Sequence, residues 1–268
     1  MSYIILLAPS EEKAVDIESI SQNKSDFLCK LWEGDILFQH RKRIYECYLN
    51  YLKELLTALN SRILLELCGT KKLGKNIELY GLLEGVYELK PALERYKGVA
   101  FQALDYENLD PLAKAVLHEK LLIFSNLFGV IRGNDPLPFY KLKQNTKLVN
   151  LTLKEVYDGF KPVLDSKKWD FAIDLRAGIY AKIWSPKGCP TLSFEFYNNG
   201  KIISHYSKLY RGKLLSQIAS YLAITKNPKL ANLLNFLESL GDSRNDLSLK
   251  DITKSKESIL IKYEVLHL

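Results

Sequence analysis

A single α+β domain built on a mixed sheet is what this sequence predicts, and three stretches predict it. Tyr3 to Ala8 is a continuous apolar run stopped by Pro9, the pattern of a strand buried on both faces. Between Ile36 and Leu67 the apolar residues Ile44, Cys47, Tyr48, Tyr51, Leu52, Leu55 and Leu56 recur at helical spacing. Thr191 to Tyr197 and Lys201 to Tyr206 flank Asn198-Asn199-Gly200, whose Asn-Gly pair supplies the positive φ values of a tight hairpin. Strand and helix patterns mix along the chain without an internal repeat, a low-complexity tract or a linker, so residues 1–268 read as one domain.

The remaining elements follow in order. The first strand runs out into Ser10, Glu11, Glu12 and Lys13, and Arg41, Lys42 and Arg43 stand near the start of the long helical region. Asp110-Pro111 opens another helix, because an Asp cap followed by Pro at the first helical position suits the unpaired first-turn amides; this helix is expected to run toward Phe124. Trp169 to Leu175 reads as a second buried strand, and Lys208 to Leu222 as an amphipathic helix. Gly241 to Glu257 is polar with little periodicity, which predicts a surface loop or short helix before a last strand, Ser258 to Val265.

At 268 residues and 47% hydrophobic, the chain can bury a sizeable core. Its longest apolar runs break well short of the ~20 residues that a membrane span needs, so no membrane partner is expected. Nothing basic precedes YIILLAP, and Glu11 and Glu12 follow it directly, which is wrong for a secretory signal and points to the cytoplasm. Cys29, Cys47, Cys68 and Cys189 are widely spaced, with no CxxC, and His40, His118, His205 and His267 are scattered. That spacing argues against a disulfide framework and against zinc, and no metal or cofactor is expected. The net charge of +7 admits a polyanionic partner only if the charges are grouped.

Grouping is what the element ends show. APSEEK, Ala8 to Lys13, leaves the first buried strand, where sheet folds place ligand contacts; Ser10 can bind phosphate, Glu11 can move a proton and Lys13 can pair an anion. The same residues also suit a helix N-cap with acidic first-turn side chains. LCGTKKLGKN, Leu67 to Asn76, has the layout of a helix-hairpin-helix whose turn amides grip a phosphate, with Lys72 and Lys75 beside it, or it is a Gly-terminated helix with solvated lysines. RYKGVAFQALD places Arg95 and Lys97 next to Gly98, where backbone could approach a ligand, or forms a turn into a strand through Val99 and Phe101. LFGVIRGNDPLPFYKLK interleaves Arg132, Tyr140, Lys141 and Lys143 with two glycines and two prolines; a basic track with an aromatic platform is the generic device for nucleic-acid backbones and unstacked bases. The blander form is a long surface loop with a buried tyrosine. IDLRAGIYAKIW carries Arg176, and HYSKLYRGKLL carries Lys208 and Arg211 three apart on one helix face. An Arg or Lys beside a Gly or Ser recurs at four or more element ends, and their convergence would make a basic cleft for a phosphate-bearing ligand.

APSEEK, RYKGVAFQALD, SNLFGVIRGNDPLPFYKLK, DLRAGIYAKIW and ISHYSKLYRGKLL resemble, in this order, the motifs of the YaaA peroxide-stress protein family, in its branch with a PSE-x-K N-terminal motif. The resemblance spans nearly the whole chain. It implies a cytoplasmic bacterial protein with the family's cantaloupe-type α+β fold and a helix-hairpin-helix element. It further implies DNA binding in a basic cleft and a role in limiting iron-linked oxidative damage.

Two functions follow as expectations. One is a protein that binds duplex or branched DNA, with Ser10, Lys13, Lys72, Lys75, Arg95, Lys97, Arg132, Lys141, Lys143, Arg176, Lys208 and Arg211 on phosphates and Tyr140 or Tyr180 stacking on a base or sugar. The other is an enzyme acting on a nucleotide, nucleoside or damaged base in the same cleft, with Glu11 or Glu195 as acid or base. Direct iron sequestration lacks a compact ligand motif.

Overall fold

The computed structural model describes residues 2–15, 26–58, 60–71, 88–144, 146–148, 151–176, 178–204, 206–241 and 246–266. The backbone forms two compact units, one of residues 1–8, 99–122 and 165–268, the other of residues 9–98 and 123–164. Among the described residues no helix is long and apolar enough to cross a membrane.

Strands are numbered along the chain: β1 Tyr3–Leu7, β2 Lys90–Pro91, β3 Leu121–Ser125, β4 Gly129–Arg132, β5 Pro136–Leu137, β6 Phe171–Leu175, β7 Thr191–Asn198, β8 Lys201–Ile202, β9 Leu247–Lys254 and β10 Ser258–Val265. In the first unit the strand order is β1-β6-β7-β10-β9, with β8 folded back on β7. β1, β6, β7 and β10 pair in parallel, whereas β9 closes the edge antiparallel to β10, so the sheet is mixed as expected. Every residue of β1 and β6 is buried, which is why YIILL and FAIDL carry no alternation. β7 and β10 alternate buried with partly exposed positions, the signature of strands with one covered face. Helix Ser207–Ile224 packs against the helices Val99–Leu104 and Pro111–Lys120 and reaches β7.

Several start and turn signals work as read. Asp110 accepts the Leu112 amide at 2.8 Å, with Pro111 in the first turn. Asn199 and Gly200 take φ 49° and 74° and join β7 to β8.

Four elements differ from expectation. The second arm of the hairpin is only Lys201–Ile202 rather than Lys201 to Tyr206, because Tyr206 caps the helix Ser207–Ile224. The helix begun at Pro111 stops at Lys120, and Leu121–Ser125 is a strand buried at all five positions; LLIF lacks the polar residues that a half-exposed helix needs on its outer face. Val99 and Phe101 lie on a short helix rather than a strand. Within the polar stretch Gly241 to Glu257 lies β9, whose outward positions are charged because it is a solvated edge; the Lys262 ammonium on Asp251 at 2.9 Å helps hold it to β10.

In the second unit, helix Gly34–Thr57 buries Ile44, Tyr45, Tyr48 and Leu52 along one face. The Tyr45 and Phe128 rings each meet Phe27 edge-on at 5.6 Å. Arg41, fully interior, donates to the Phe128, Val130 and Trp32 carbonyls at 3.1, 2.7 and 2.7 Å and so ties this helix to β4. β4 neighbours β3, and β2 and β5 form a short antiparallel pair.

Candidate functional site

In the second unit the chain leaving Pro9 lies antiparallel to the segment around Tyr96. Lys13 and Tyr96 form a bridge, the Ala14 amide donates to Arg95 O at 2.8 Å and the Lys97 amide to Glu12 O at 3.0 Å. PSEEK and RYKG, remote in sequence, therefore run side by side. The fit is close at Gly98, where a Cβ would stand 2.1 Å from Ser10 Oγ, so only glycine leaves the serine in place. Ser10 Oγ in turn accepts the Glu12 amide at 3.1 Å. Neither residue belongs to a helix, so the N-cap alternative for this hexapeptide is not the one adopted.

Lys13 is 5% exposed. Its ammonium nitrogen donates to the Ser10 and Glu11 carbonyls at 2.9 and 3.3 Å and lies over the Tyr140 ring, 4.0 Å from the centroid, with the Tyr96 ring at 5.3 Å. Burial above all, and then the neighbouring Lys141 charge, lower its pKa to about 7; Glu11 opposes the shift and Arg95 adds to it. Beneath the lysine, the Tyr140 hydroxyl is hydrogen-bonded to Tyr96 at 2.8 Å and to Ser125 at 2.9 Å. Ser125 Oγ also accepts the Leu127 and Phe128 amides, which turns the chain from β3 into β4. Burial pushes the Tyr96 phenol up to about 12, partly offset by its hydroxyl neighbours.

The FYKLK segment is fixed to the same place. Gln144 N donates to Glu11 Oε1 at 3.0 Å, Lys143 N to Leu67 O at 2.8 Å, and Tyr48 OH to Lys141 O at 3.0 Å. Gly69, at φ 65°, ends helix Ser61–Cys68 against Lys143 and Glu11. One neighbourhood thus holds Ser10, Glu11, Lys13, Lys97, Tyr140, Lys141 and Lys143. Arg95 sits there too, 1% exposed, with its guanidinium donating to the Leu137, Ala14 and Glu88 carbonyls. Arg132 is exposed at the end of β4, its amide held by Asp135. Lys72 and Lys75, and with them the second half of the hairpin stretch, lie outside the described residues.

In the first unit a second cluster forms at the end of β6. Arg176 grips Asp174 through Nε and Nη2 at 2.9 and 2.6 Å, and its Nη1 donates to Tyr180 O. Arg211, on helix Ser207–Ile224, feels the Asp174 charge, although burial still lowers its pKa. Its Nε is buried with no hydrogen-bond partner among the described residues. Lys208 on the same helix is exposed, and Tyr180 is buried. Glu195, on β7, accepts the Tyr197 hydroxyl at 2.8 Å, part of the half-exposed sheet face with Lys262.

Sequence reasoning missed Tyr96 and Ser125 as members of the lysine cluster. Tyr96 lies inside a motif singled out for its charges, whereas Ser125 ends an apolar strand and carries no signal in its spacing. Among the described residues no three His, Cys, Asp or Glu side chains are grouped as a metal ion would require.

Residues 3–237 match the sequence family described as peroxide stress protein YaaA. An uncharacterized protein of Campylobacter jejuni is 35% identical over 231 residues, covering 85% of this chain and 89% of the relative. A UPF0246 protein of Streptomyces coelicolor is 31% identical over 198 residues, 66% of this chain and 75% of its own. With a match across both compact units and a relative this similar over most of its length, the chain belongs to the YaaA peroxide stress protein family.

Proposed function

We propose that this protein binds DNA, duplex or branched, through its phosphates, and thereby limits iron-linked oxidative damage during peroxide stress. The supporting observation is the pairing of the Ser10–Lys13 segment with Arg95–Gly98, with FYKLK fastened beside it. Half-exposed Lys97 and Lys141 and exposed Lys143 then stand beside two exposed acidic residues, Glu11 and Glu12. Such an excess of cations on one patch, on a chain of net charge +7, suits a polyphosphate. Lys208 and Arg211 of the first unit are a second set of phosphate ligands in this reading, and Leu67–Asn76 would serve as a helix-hairpin-helix with Lys72 and Lys75.

Fluorescence anisotropy with duplex and four-way-junction oligonucleotides across a salt series tests it. Affinity should fall linearly in log-log form, and Lys97→Ala/Lys143→Ala should flatten the slope by roughly 0.9 for each phosphate that is no longer neutralised. Lys72→Ala/Lys75→Ala and Lys208→Ala/Arg211→Ala test the other two sets in the same way. A cell lacking the protein should lose viability in peroxide and regain it when iron is chelated. Absence of binding at low salt overturns the reading.

One observation favours a second reading, an enzyme acting on a nucleotide, nucleoside or damaged base: Lys13 is a buried amine held near neutrality, and groups so perturbed gather where chemistry is done. Glu11, whose charge acts on the lysine, is the natural proton carrier. Glu11→Gln should then retain DNA binding while losing release of base or nucleotide; no turnover by the wild type on nucleosides and lesion-bearing DNA sinks this reading.

A further inference from the structure

We propose that the Lys13 amine, bedded on the Tyr140 ring beside Lys141, is a nucleophile that condenses with the open-chain aldehyde of a phosphate-bearing sugar. The inference deepens the enzyme reading and rests on it. Three features of the geometry support it.

The first is hydrogen bonding. An ammonium has three donors and seeks three acceptors, whereas a neutral amine has two N–H groups and a lone pair. Lys13 Nζ has two backbone acceptors, Ser10 O and Glu11 O, at 2.9 and 3.3 Å. Two carbonyls satisfy both hydrogens of the neutral form, whereas the third hydrogen of an ammonium would have only the weaker Tyr140 ring face among the described residues. The side chain is thereby held at one place, and a fixed nucleophile avoids the entropic cost of finding its target.

The second is the surroundings. The amine is buried on aromatic rings, with the charges of Lys141 and Arg95 on it and, among the described residues, Glu11 opposing them. Desolvation and like charge both disfavour the ammonium, the recognised way to make a lysine nucleophilic near neutral pH. The lowered lysine pKa agrees with this.

The third is the sign of the neighbours. A lysine that only needed to be neutral could sit among apolar groups. This one has half-exposed Lys141 and Lys97 close by along the chain segments that hold it. They suit an anionic substrate, and a sugar phosphate carries both an anion and, once its ring opens, an aldehyde.

The step balances. The amine nitrogen attacks the aldehyde carbon, the carbonyl oxygen takes up the two amine hydrogens, and water leaves as the carbon–nitrogen double bond forms. No oxidant or reductant is consumed. Two sources could supply the aldehyde: the base-less deoxyribose of damaged DNA, or a free pentose phosphate.

The test is reductive trapping of the full chain with sodium cyanoborohydride, followed by peptide mapping by mass spectrometry. One arm holds a duplex carrying a single abasic site, the other ribose 5-phosphate. Binding of the abasic duplex is measured in parallel by anisotropy. The expected result is a covalent adduct on the peptide containing Lys13, with a yield that rises between pH 5 and 8. Lys13→Arg, which keeps a cation but cannot form an imine, should lower it at least tenfold. Circular dichroism of Lys13→Arg shows whether it is folded, and mapping of the wild-type adduct keeps the result decisive if it is not. Trapping of the duplex assigns the nucleic-acid source, and trapping of ribose 5-phosphate alone assigns the free sugar. A duplex that binds but is never trapped at Lys13, with ribose 5-phosphate also untrapped there, overturns the nucleophile and leaves DNA binding standing. Adducts spread over other lysines, or equal in Lys13→Arg, overturn it as well.

Discussion

Lys13 Nζ stands 4.0 Å from the centre of the Tyr140 ring, and both residues are almost wholly buried. A ring face attracts a cation, yet here burial and the Lys141 charge prevail and pull the lysine from 10.5 to about 7. The energetic consequence has a definite sign. Between pH 7 and 10.5 the unfolded chain holds a proton on this residue that the folded chain has released, so stability rises with pH across that window. Below pH 7 both states are protonated and the cost of burying the charge is complete.

Lys13→Met should therefore raise stability at pH 6. There it removes the cost of holding an ammonium in a buried site, about 1.4 kcal/mol for each tenfold weakening of proton affinity, less the hydrogen bonds and ring contact it deletes. The advantage over wild type should shrink steadily as pH climbs toward 10. Thermal melts of the two proteins at pH 6, 8 and 10 measure it, and a difference that does not change with pH contradicts the buried-amine assignment.

Gly98→Ala should force Ser10 aside, because the new methyl would lie 2.1 Å from Ser10 Oγ. Overpacking of this kind costs about 1–3 kcal/mol. Ser10→Gly removes the obstructing atoms but deletes the acceptor of the Glu12 amide, so the double variant should lose less than the sum of the two single variants. Urea unfolding of the four proteins gives the coupling; simple additivity would mean that the two segments do not touch.

The difference between these two sites and the fold around them explains what the sequence could tell. β1, the Asp110-Pro111 helix start, the Asn199-Gly200 turn and β10 are encoded by neighbours in the chain, so local reading found them. β9 escaped because a solvated edge strand carries charge where an inner strand carries apolar residues. The lysine cluster depends on segments paired across long stretches of chain. Charge and glycine content marked PSEEK, RYKG and FYKLK separately, but no periodicity reveals that Lys13 opposes Tyr96 or that Ser125 lies beneath Tyr140. Arg95 shows the limit from the other side: an arginine beside Lys97-Gly98 looks like a surface contact, while its guanidinium is laid on three backbone carbonyls.

Asp174→Ala should cost about 3–5 kcal/mol, since it strands the interior Arg176 guanidinium that now makes two bonds to the carboxylate. Replacing both members, Asp174→Leu with Arg176→Met, should cost less than Asp174→Ala alone, because the fully interior Arg176 charge leaves together with its partner, and only Arg211 then loses the Asp174 charge. Denaturation midpoints in urea compare the two. Equal losses would mean that the pair itself, rather than the isolated charge, sets the cost.

Gly212→Ala tests how the first unit holds its other cationic cluster. Gly212 lies in helix Ser207–Ile224, and a Cβ there would come 2.1 Å from Ala100 O and 2.8 Å from Ala103 Cβ, both on the short helix Val99–Leu104. A backbone oxygen cannot rotate away as a side chain can, so the two helices must separate. The expected destabilisation is at least the roughly 1–3 kcal/mol typical of overpacking. Ser220→Ala, at an exposed position of the same helix, should stay within about 0.5 kcal/mol of wild type. Because Arg211 precedes Gly212 directly, the separation should also carry its guanidinium away from Asp174. If Arg211 holds a phosphate, Gly212→Ala should weaken oligonucleotide binding and lower the salt slope at temperatures where the variant remains folded, whereas Ser220→Ala should leave both unchanged. Reduced stability with unaltered binding would remove Arg211 from the phosphate ligands while leaving the close helix packing in place.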